Sequence, residues 1–446
     1  MLLDRKAAQR VVDQTLAEAK GLKGADAEVT LTVTRAANTR FARSEITSTG
    51  DSDDTTLDVH VAYGKRHANV TVNQLDAASL RTAVARAAAL ARIAPEDPER
   101  MPALPPQTEP ASAPRWDDAT AALDTGARAR AAGQAISAAQ EKGVDVAGFF
   151  SHQASVSLLG NSAGLRAAVQ GTEAGLSMTA RTKDGTGSGW AGLQSIKAGE
   201  LDAAALAHAA VDKGVRSAKP RHLDAGKYQV VLEPAAVAEL LAFTTRALGA
   251  RQADEGRSFF AKPGGGSKIG EKLFGDMVTL TSSPADPLAP ADPHDAEGMP
   301  VAPTTWIEKG VLRNLHYTRY WAAKQGKTAM GQASRYPLHG GQAASVDELV
   351  KGIDRGVVVT RFFYIRILDP QTILCTGLTR DGVFLVEKGE IVAPVNNFRF
   401  NESPVKMLAA VEAMTKQTWR TPADVSLRVP ALRTAEFNLA STSEAV

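Results

Sequence analysis

The hydrophobic pattern of the first hundred residues changes its period twice. Apolar residues between Ala8 and Ala19 recur three and four positions apart, which predicts an amphipathic helix that ends before Gly21. From residue 29 to residue 34 apolar residues alternate with threonine, the pattern of a half-buried strand. Gly64 lies between two further alternating segments and predicts a hairpin turn. The predicted elements are a helix over 8–19, strands over 29–34, 56–62 and 67–73, and a helix over 77–93.

A proline-rich segment, residues 94–114, follows these elements. Its seven prolines exclude a helix or a central strand, so we predict that it is a linker between two modules. Beyond it the chain is alanine-rich and then alternates again. The predicted elements are a helix over 117–143, antiparallel strands over 156–159, 164–169, 174–183 and 189–196, and a helix over 201–213.

The C-terminal half shows short strand patterns separated by tight turns. The predicted elements are a strand over 228–232, a helix over 233–248, a loop with six prolines over 282–303, strands over 305–307, 356–364, 382–388 and 390–395, and a helix over 403–414. We therefore predict an α+β fold. N-terminal (1–93) and central (115–222) α/β modules with antiparallel sheets are followed by a large β-rich C-terminal domain (223–446).

Composition and charge narrow the possible functions. The 446 residues include 51 Lys and Arg against 49 Asp and Glu, a net charge of +2, which excludes a broadly basic face for nucleic acid. The one cysteine, Cys375, excludes a disulfide framework, and its apolar neighbours predict a buried structural thiol. No apolar run is long enough for a membrane helix, and the first fourteen residues lack the apolar core of a secretion signal. We expect a cytoplasmic protein without a membrane or nucleic-acid partner.

Two glycine-containing segments resemble catalytic motifs. Residues 160–164 match the Gly-x-Ser-x-Gly nucleophile elbow, and residues 187–192 match Gly-x-Gly-x-x-Gly. Each motif requires a strand before it and a helix after it. Here a strand pattern follows residue 164, and a turn precedes residue 187. We interpret the first segment as a hairpin turn and the second as the glycine-rich end of a hairpin.

The eight histidines form no local metal motif, since none lies three to five residues from another. His294, Asp295 and Glu297 cluster in the proline-rich loop and could supply nitrogen and oxygen ligands to a metal. The alternative, which we favour, is that these polar side chains cap turns of the loop.

Segments distributed over most of the chain resemble the TldD/PmbA family, whose members were first described as modulators of DNA gyrase. No single segment is decisive, but their order and spacing together are specific. The segments are 56–73, 94–98, 161–164, 184–190, 267–271, 295–300, 307–312 and 376–391.

The resemblance implies two types of subunit that pair with each other. A TldD-type subunit binds zinc through His-Glu-three residues-His on a helix and cuts unfolded peptides, whereas a PmbA-type subunit, also called TldE, lacks that motif. At the corresponding positions this chain has Ala242, Phe243 and Ala247, whose methyl groups and phenyl ring neither bind Zn²⁺ nor activate its water. The third zinc ligand of TldD-type chains is a late cysteine, and Cys375 falls too early to match it. The resemblance thus implies a non-catalytic PmbA-type subunit without a cofactor, zinc being expected only in a catalytic partner.

Such a subunit is expected to hold the catalytic chain and to help enclose an extended peptide. Extended peptides bind by adding a strand to a sheet, and we expect the C-terminal domain to offer the edge. The candidates for contacts with the peptide are His294, Asp295, Glu297, Thr376 and Gly377.

Two alternatives remain open from the sequence. The chain could be a homodimeric scaffold or regulator with no peptidase partner, because homodimers and heterodimers use similar apolar surfaces. It could also be a peptidase with a divergent site, formed by the cluster at 294–297 together with Cys375 or His316.

Overall fold

The computed structural model describes residues 4–422 and 427–444. The helices are α1 (Arg5–Ala19), α2 (Ala77–Ile93), α3 (Asp118–Ala121), α4 (Thr125–Glu141), α5 (Ala203–Arg216), α6 (Pro234–Arg246), α7 (Ala250–Asp254), α8 (Arg319–Gln325), α9 (Val346–Lys351) and α10 (Pro404–Ala409). The strands are β1 (Asp26–Ala42), β2 (Glu45–Tyr63), β3 (Arg66–Val72), β4 (Asp145–Asn161), β5 (Arg166–Arg181), β6 (Ser188–Ser195), β7 (Gly226–Leu232), β8 (Leu280–Ser282), β9 (Thr304–Glu308), β10 (Val311–Leu312), β11 (Arg355–Asp369), β12 (Leu374–Glu387), β13 (Glu390–Pro394), β14 (Asn397–Glu402), β15 (Val411–Met414), β16 (Trp419–Arg420), β17 (Arg428–Val429) and β18 (Leu432–Ser443). Within the described residues, no helix combines the length and the hydropathy needed to cross a bilayer.

One antiparallel sheet of six strands runs through both the N-terminal and the central module. Its order is β3-β2-β1-β4-β5-β6, so β1 and β4 are neighbours although the proline-rich linker separates them in sequence. The alternation predicted for residues 29–34 places Val29, Leu31 and Val33 on the buried face of β1, where α1 and α2 cover them. Helices α4 and α5 cover the same sheet over β4–β6. Both modules therefore share one sheet but keep separate helical layers.

The C-terminal domain is built around a barrel, in which five strands form a closed sheet. β7 pairs with β11 and β18, β14 joins β18 to β12, and β12 returns to β11. The β7–β11 pair is parallel and the other four pairs are antiparallel. Phe362, Phe400 and Phe437 pack together in the core with ring centroids 4.5 to 5.6 Å apart. Helix α6 packs against this core through Leu240 and Leu241, which are fully buried.

The predicted fold class is confirmed. The first two modules form an antiparallel sheet with helices on it, and the last domain is rich in strands. The hairpin predicted around Gly64 is present, with Gly64 at a φ of 60° in the turn between β2 and β3. Helix α2 has the predicted bounds, Ala77–Ile93. The first glycine motif forms the hairpin turn between β4 and β5, and the second begins at the end of a hairpin turn and continues into β6.

Two predictions for the central module were wrong in detail. The helix predicted over 117–143 is divided into α3 and α4, because the Asp124 carboxylate accepts the backbone N–H of Ala127 at 2.6 Å and begins a second helix. The strands predicted over 164–169 and 174–183 are the single strand β5. Gly171 lies within that strand opposite Ser155 and makes no turn.

The helix predicted over 403–414 is wrong in its second half. Helix α10 ends at Ala409, and the residues after it form β15, with Met414 paired to Leu432 of β18. Pairing with the barrel strand therefore overrides the helical pattern of this segment, because tertiary contacts outweigh intrinsic propensity.

Candidate functional site

A cavity of about 730 Å³ lies where the first sheet, the linker and the C-terminal domain meet, and we name it the junction cavity. The sheet contributes the start of β1 and one face of the β2–β3 hairpin. The C-terminal domain contributes the end of α6, α7 and the start of α8. The charged and histidine side chains along it are Asp26, Glu28, His60, His67, Asp97, Glu99, Arg100, Arg246, Arg251, Glu297, His316 and Arg319.

The turn of the β2–β3 hairpin holds the linker at the edge of this cavity. A proline-rich segment has few N–H groups of its own, so its carbonyl groups need donors from other parts of the chain. Lys65 Nζ donates to the carbonyls of Pro98 at 3.0 Å and Arg100 at 2.6 Å. Arg100 Nη1 donates to the carbonyl of Gly64 at 2.8 Å, and the N–H of Asp97 donates to the carbonyl of Lys65 at 2.9 Å. The hairpin and the linker are therefore one structural unit.

A chain of hydrogen bonds joins two histidines and an aspartate at the cavity wall. His67 Nε2 lies 3.2 Å from Asp97 Oδ2, and His67 Nδ1 lies 3.0 Å from His60 Nε2. The Asp97 carboxylate accepts from His67 Nε2–H, and His67 Nδ1 and His60 Nε2 share one proton between them. Burial, and then the neighbouring His67, lower the pKa of His60 to about 4. His60 is therefore a neutral imidazole at pH 7.

Ion pairs between arginines and carboxylates line the rest of the wall. The pairs are Arg251–Glu99, Arg100–Asp26 and Arg319–Glu297. Arg251 binds Glu99 through two parallel hydrogen bonds of 2.7 and 2.8 Å, the strong fork geometry of guanidinium and carboxylate. The Arg319 guanidinium also donates to the linker carbonyl of Pro102 at 2.6 Å. Each arginine thus ties together two segments of the wall.

Glu28 differs from the other carboxylates of the cavity. Burial, and then the negative charge of Glu297, raise its pKa from 4.5 to about 7, although Arg319 and Arg100 lie near enough to oppose the shift. The carboxyl group of Glu28 is therefore divided between its charged and neutral forms near pH 7. A group with this pKa can accept or donate a proton at physiological pH.

The end of α6 borders the cavity and contains the positions where a zinc motif is expected from the family resemblance. Thr245 and Arg246 line the cavity. Ala242 is almost fully buried, and Phe243 packs against the core with the Arg246 guanidinium 5.6 Å from its ring centroid. Ala247 is the C-cap residue of the helix. The methyl and phenyl groups at these three positions supply no metal ligand.

His316 lies beside this end of α6. Its backbone N–H donates to Leu248 at 2.7 Å, and its carbonyl accepts the N–H of Ala250 at 2.9 Å. His316 Nε2 donates to the carbonyl of Met330 at 3.0 Å, and burial lowers the pKa of the ring. His316 is thus a neutral imidazole whose Nε2 is already engaged by the backbone.

The side chains of His294, Asp295 and Glu297 lie in different environments and do not converge on one site. Asp295 Oδ1 accepts the N–H groups of Glu297 and Met299, both at 2.9 Å, and Oδ2 accepts the N–H of Gln332 at 3.0 Å. Glu297 pairs with Arg319 at the junction cavity, whereas His294 borders a second cavity. Over residues 4–422 and 427–444, no group of three or more His, Cys, Asp and Glu side chains is placed to hold a metal. Asp295 therefore caps turns of its loop, whereas Glu297 and His294 do not share that role.

Cys375, Thr376 and Gly377 lie in the barrel wall on β12 and not at the junction cavity. The Cys375 thiol is fully buried, and burial raises its pKa to about 12. A Cβ on Gly377 would lie 2.7 Å from the Phe400 ring, so this glycine allows the ring to pack in the barrel. The buried thiol predicted from the sequence is present, and the hypothesis of a divergent site with Cys375 at the loop cluster gains no support from this placement.

The sequence reasoning missed the Asp97–His67–His60 chain, although the signals for it were available. The predicted hairpin fixes which residues of β2 and β3 share a face, and it places His60 and His67 diagonally on one side. The linker segment that contains Asp97 then follows α2 back to the hairpin turn. The sequence pattern does not predict that the C-terminal domain packs against this face of the hairpin, and it is this packing that forms the cavity.

Comparison with protein families finds three consecutive matches along the chain. Residues 27–91 match domain 1 of the PmbA/TldA metallopeptidases, residues 109–218 match their central domain, and residues 225–441 match their C-terminal domain. The order is the same as in the three-part architecture described above.

Two curated proteins from methanogenic archaea are similar to parts of the chain. An uncharacterised protein of Methanocaldococcus jannaschii is 31% identical over 137 residues, which is 30% of this chain and 32% of that protein. A protein of Methanothermobacter thermautotrophicus named "Metalloprotease" is 26% identical over 279 residues, 57% of this chain and 58% of its own length. The similarity therefore spans less than two thirds of either relative.

Solved structures resemble the whole fold at low sequence identity. TldE from Thermococcus kodakarensis has a TM-score of 0.87 at 18% identity, covering 98% of this chain and 100% of that chain. A Thermotoga maritima protein described as a modulator of a DNA gyrase has a TM-score of 0.85 at 17% identity, with coverages of 96% and 99%. A Bacteroides thetaiotaomicron protein with a similar description has a TM-score of 0.81 at 19% identity, with coverages of 98% and 99%. At these identities the likeness establishes the fold alone.

Proposed function

This chain belongs to the PmbA/TldD family of metallopeptidase-related proteins, and from that premise we propose that it is a non-catalytic subunit of the PmbA/TldE type. Its role is to pair with a TldD-type catalytic chain and to help enclose an unfolded or extended peptide. Zinc, in this proposal, is held by the partner and not by this chain.

The observation that carries the proposal is the composition of the end of α6. A peptidase zinc site needs three protein ligands and an open position for water. The helix that borders the junction cavity has Ala242, Phe243 and Ala247 where the resemblance implies ligands and a general base. Three of the nearby carboxylates, Asp26, Glu99 and Glu297, are held in ion pairs with arginine. Glu28 can exchange a proton near pH 7, but the end of α6 places no zinc ligand beside it that would hold a water for activation.

A strand edge that no described strand pairs with supports the peptide-binding part of the proposal. Strand β3 pairs with β2 only over residues 57–63, while β1 pairs along the other side of β2 from Glu45 onward. The outer edge of residues 45–54 therefore has no strand beside it among the described residues, and those residues are largely exposed. The barrel of the C-terminal domain closes on itself, with the short strands β13 and β15 paired outside it. We accordingly move the proposed peptide edge from the C-terminal domain to β2.

An exposed apolar strip supports the partner part of the proposal. The strip consists of Phe363, Tyr364, Ile367 and Leu368 on β11, and their exposed fractions run from 42% to 64%. Four exposed apolar side chains within six residues of one strand are typical of a protein interface. The same strip could serve a homodimer, so the oligomeric state must be measured with and without the catalytic chain.

The experiment is peptide cleavage by purified subunits. The chain, a TldD-type chain from the same organism, and the two together are incubated with an unfolded peptide, and the bound zinc of each sample is measured. We expect no cleavage and no stoichiometric zinc for this chain alone, and chelator-sensitive cleavage for the pair. A control pair uses a catalytic chain whose motif glutamate is replaced by glutamine. Cleavage by this chain alone, lost on chelation, contradicts the proposal, and a stable homodimer that ignores the catalytic chain favours the scaffold alternative.

A further inference from the structure

The carboxyl group of Glu28 borders the junction cavity and makes no hydrogen bond to another described residue. Glu28 lies on β1 directly opposite His60 of β2. Its neighbour Val29 points into the core beneath α1 and α2, so the alternation of the strand turns Glu28 to the other face of the sheet. At about 730 Å³, the cavity beside this carboxyl has room for a ligand of many atoms.

The two arginines whose charges act on Glu28 are bonded to other groups. Arg100 pairs with Asp26 at 2.6 Å, and Arg319 pairs with Glu297 at 3.2 Å. Each of the two guanidinium groups also donates to a backbone carbonyl. Arg100 Nε is buried and bonds to no residue in the described part of the chain, so it does not serve Glu28 either. The Glu28 carboxyl therefore has arginines near it but no donor from them.

Glu297 is a second carboxylate that acts on Glu28 from the same cavity. After burial, its charge is the largest cause of the raised pKa of Glu28, and Asp295 adds to the effect. Arg319 binds Oε2 of Glu297, whereas Oε1 bonds to no described residue. Two carboxyl groups that act on each other in this way repel when both are charged. A cation that binds both of them relieves the repulsion.

The charge and the donors of the cavity lining indicate the type of cation. The lining contains five carboxylates and four arginines, so it has no excess of positive charge to repel a cation. A metal ion needs several protein ligands, and in residues 4–422 and 427–444 no three His, Cys, Asp or Glu side chains are placed to hold one. A primary ammonium group has three N–H donors and one charge, which suits two carboxyl groups.

We propose that the junction cavity binds a primary ammonium group of the peptide through Glu28, with Glu297 as the second acceptor. This inference rests on the function proposed above, in which the chain helps to enclose a peptide. The ammonium belongs either to the free N-terminus of the peptide or to a lysine side chain. It donates to the carboxyl group that lacks a partner and holds that group in its charged form.

The probes are two short peptides that each carry a single ammonium group. Trialanine amide has it at the N-terminus, and N-acetyl-alanyl-lysyl-alanine amide has it on the lysine. N-acetyl-trialanine amide is the uncharged control. Binding to the full chain alone is measured by isothermal titration calorimetry. Saturable binding of the first or the second probe identifies the N-terminus or the lysine as the source. Absence of binding for both, or equal binding of the uncharged control, overturns the proposal.

One variant and its matched control assign the binding to Glu28. Glu28→Gln keeps the size of the side chain and removes its charge, and we expect affinity for the ammonium probe to fall about tenfold or more, since a charge-assisted hydrogen bond is lost. The control is Glu96→Gln, which changes an exposed carboxylate paired with Arg66 that does not border the cavity. Equal affinity for wild type and Glu28→Gln overturns the proposal.

Proton release on binding gives a second readout. Glu297 and Asp295 act on Glu28 against Arg319 and Arg100, and the carboxyl of Glu28, whose pKa is about 7, is about half protonated at pH 7. An ammonium ligand favours the charged form, so the wild type should release up to about half a proton per ligand into the buffer. Titrations in buffers of different ionisation enthalpy measure the release. Equal release by wild type and Glu28→Gln overturns the proposal.

Failure of this inference is distinguishable from failure of the function proposed above, because the binding test uses this chain without a catalytic partner. If the isolated chain shows no preference for an ammonium group while the pair of subunits still cleaves peptides, the ammonium site is overturned and the subunit role stands. Cleavage by this chain alone contradicts the subunit role and leaves the measured binding unchanged.

Discussion

Glu28 is a single residue whose ionisation opposes folding. Its pKa in the folded chain is about 7 against an ordinary value of 4.5, so below pH 4.5 the carboxyl is protonated in both states and stability is unaffected. As pH rises through this interval the unfolded chain loses the proton first, and stability falls. The full loss, about 3 kcal/mol, is reached above pH 7, because a tenfold change in an acid dissociation constant corresponds to ~1.4 kcal/mol.

Replacing Glu28 with glutamine should therefore stabilise the protein in a pH-dependent way. We expect Glu28→Gln to raise the free energy of unfolding by about 1–3 kcal/mol at pH 8 and to change it little near pH 4.5. Urea unfolding at the two pH values measures the difference. Glu96→Gln, which changes an exposed carboxylate paired with Arg66, is the control and should give no such gain. An equal effect of Glu28→Gln at both pH values contradicts the assignment.

Asp381 is a buried residue that joins the first sheet to the barrel under backbone strain. It has a φ of 56°, its side chain is 3% exposed, and it accepts a hydrogen bond from Ser188 Oγ of β6. Arg361 Nη1 lies 3.9 Å from its other oxygen. We expect Asp381→Ala to destabilise the protein by about 2–4 kcal/mol, because a hydroxyl and a guanidinium lose a buried acceptor and alanine tolerates positive φ poorly.

A second variant, Asp381→Asn, tests whether the lost hydrogen-bond acceptor and the positive φ cause the instability expected of Asp381→Ala. Asp381→Asn keeps an acceptor and a side chain that tolerates the left-handed region, so it should cost clearly less than alanine in thermal unfolding. If the two variants are equally stable, neither the hydrogen bond to Ser188 nor the strained backbone is important there.

Helix α6 is the element where restoring catalytic groups provides a strict test. Consider Ala242→His, Phe243→Glu and Ala247→His made together. Ala242 is packed in the core, so an imidazole there must displace neighbours, and the carboxylate at 243 faces the same core. Cys375 cannot serve as a third ligand, since it is buried in the barrel. We expect weak zinc binding at most and no peptide cleavage.

Zinc titration followed by cleavage of an unfolded peptide checks this prediction. The wild-type chain and the single variant Ala247→His, which changes the partly exposed C-cap residue, are the controls. Strong, chelator-sensitive proteolysis by the triple variant would show that the site has kept its third ligand and its supporting hydrogen bonds.

Among the helices and strands, the sequence predicted correctly those that depend on local patterns. It failed where pairing with a strand distant in sequence determines the secondary structure. Ala77–Ile93 and the hairpin at Gly64 follow from spacing and turn chemistry alone. By contrast, residues 411–414 have a helical pattern but pair with β18. The family resemblance identified Ala242, Phe243 and Ala247. The junction cavity, by contrast, depends on how the linker packs between the first sheet and the C-terminal domain. No local sequence pattern around Glu28 or Asp97 predicts that packing.

The apolar strip on β11 is the surface through which we propose that the whole molecule contacts its partner. Tyr364 and Leu368 are 64% and 54% exposed, so changing them should leave the fold intact. We expect the double variant Tyr364→Asn with Leu368→Gln to weaken association with the catalytic chain at least about tenfold, as interface anchors commonly do. Asparagine is chosen because Tyr364 has a φ of 54°, which asparagine tolerates.

Association is measured by co-purification and by light scattering at fixed concentrations. The control is Ile93→Gln, another exposed apolar residue, at the end of α2 and 78% exposed. If the double variant assembles as well as the control does, the interface lies on another face of the molecule.

The six-stranded sheet has a consequence for the synthesis of the chain. Val33 pairs with Val156 of β4. The edge of β1 that faces β4 therefore stays unpaired until the ribosome has translated more than a hundred further residues. At ~5–20 residues per second the ribosome needs roughly 5–25 seconds to make that partner. During this interval the β1–β2 hairpin exposes an open edge, which is the usual starting point for misassembly. A fragment ending near residue 93 should therefore aggregate, whereas one that extends through β6 and α5 should remain dispersed, and the nascent chain is expected to depend on a chaperone until β4 emerges.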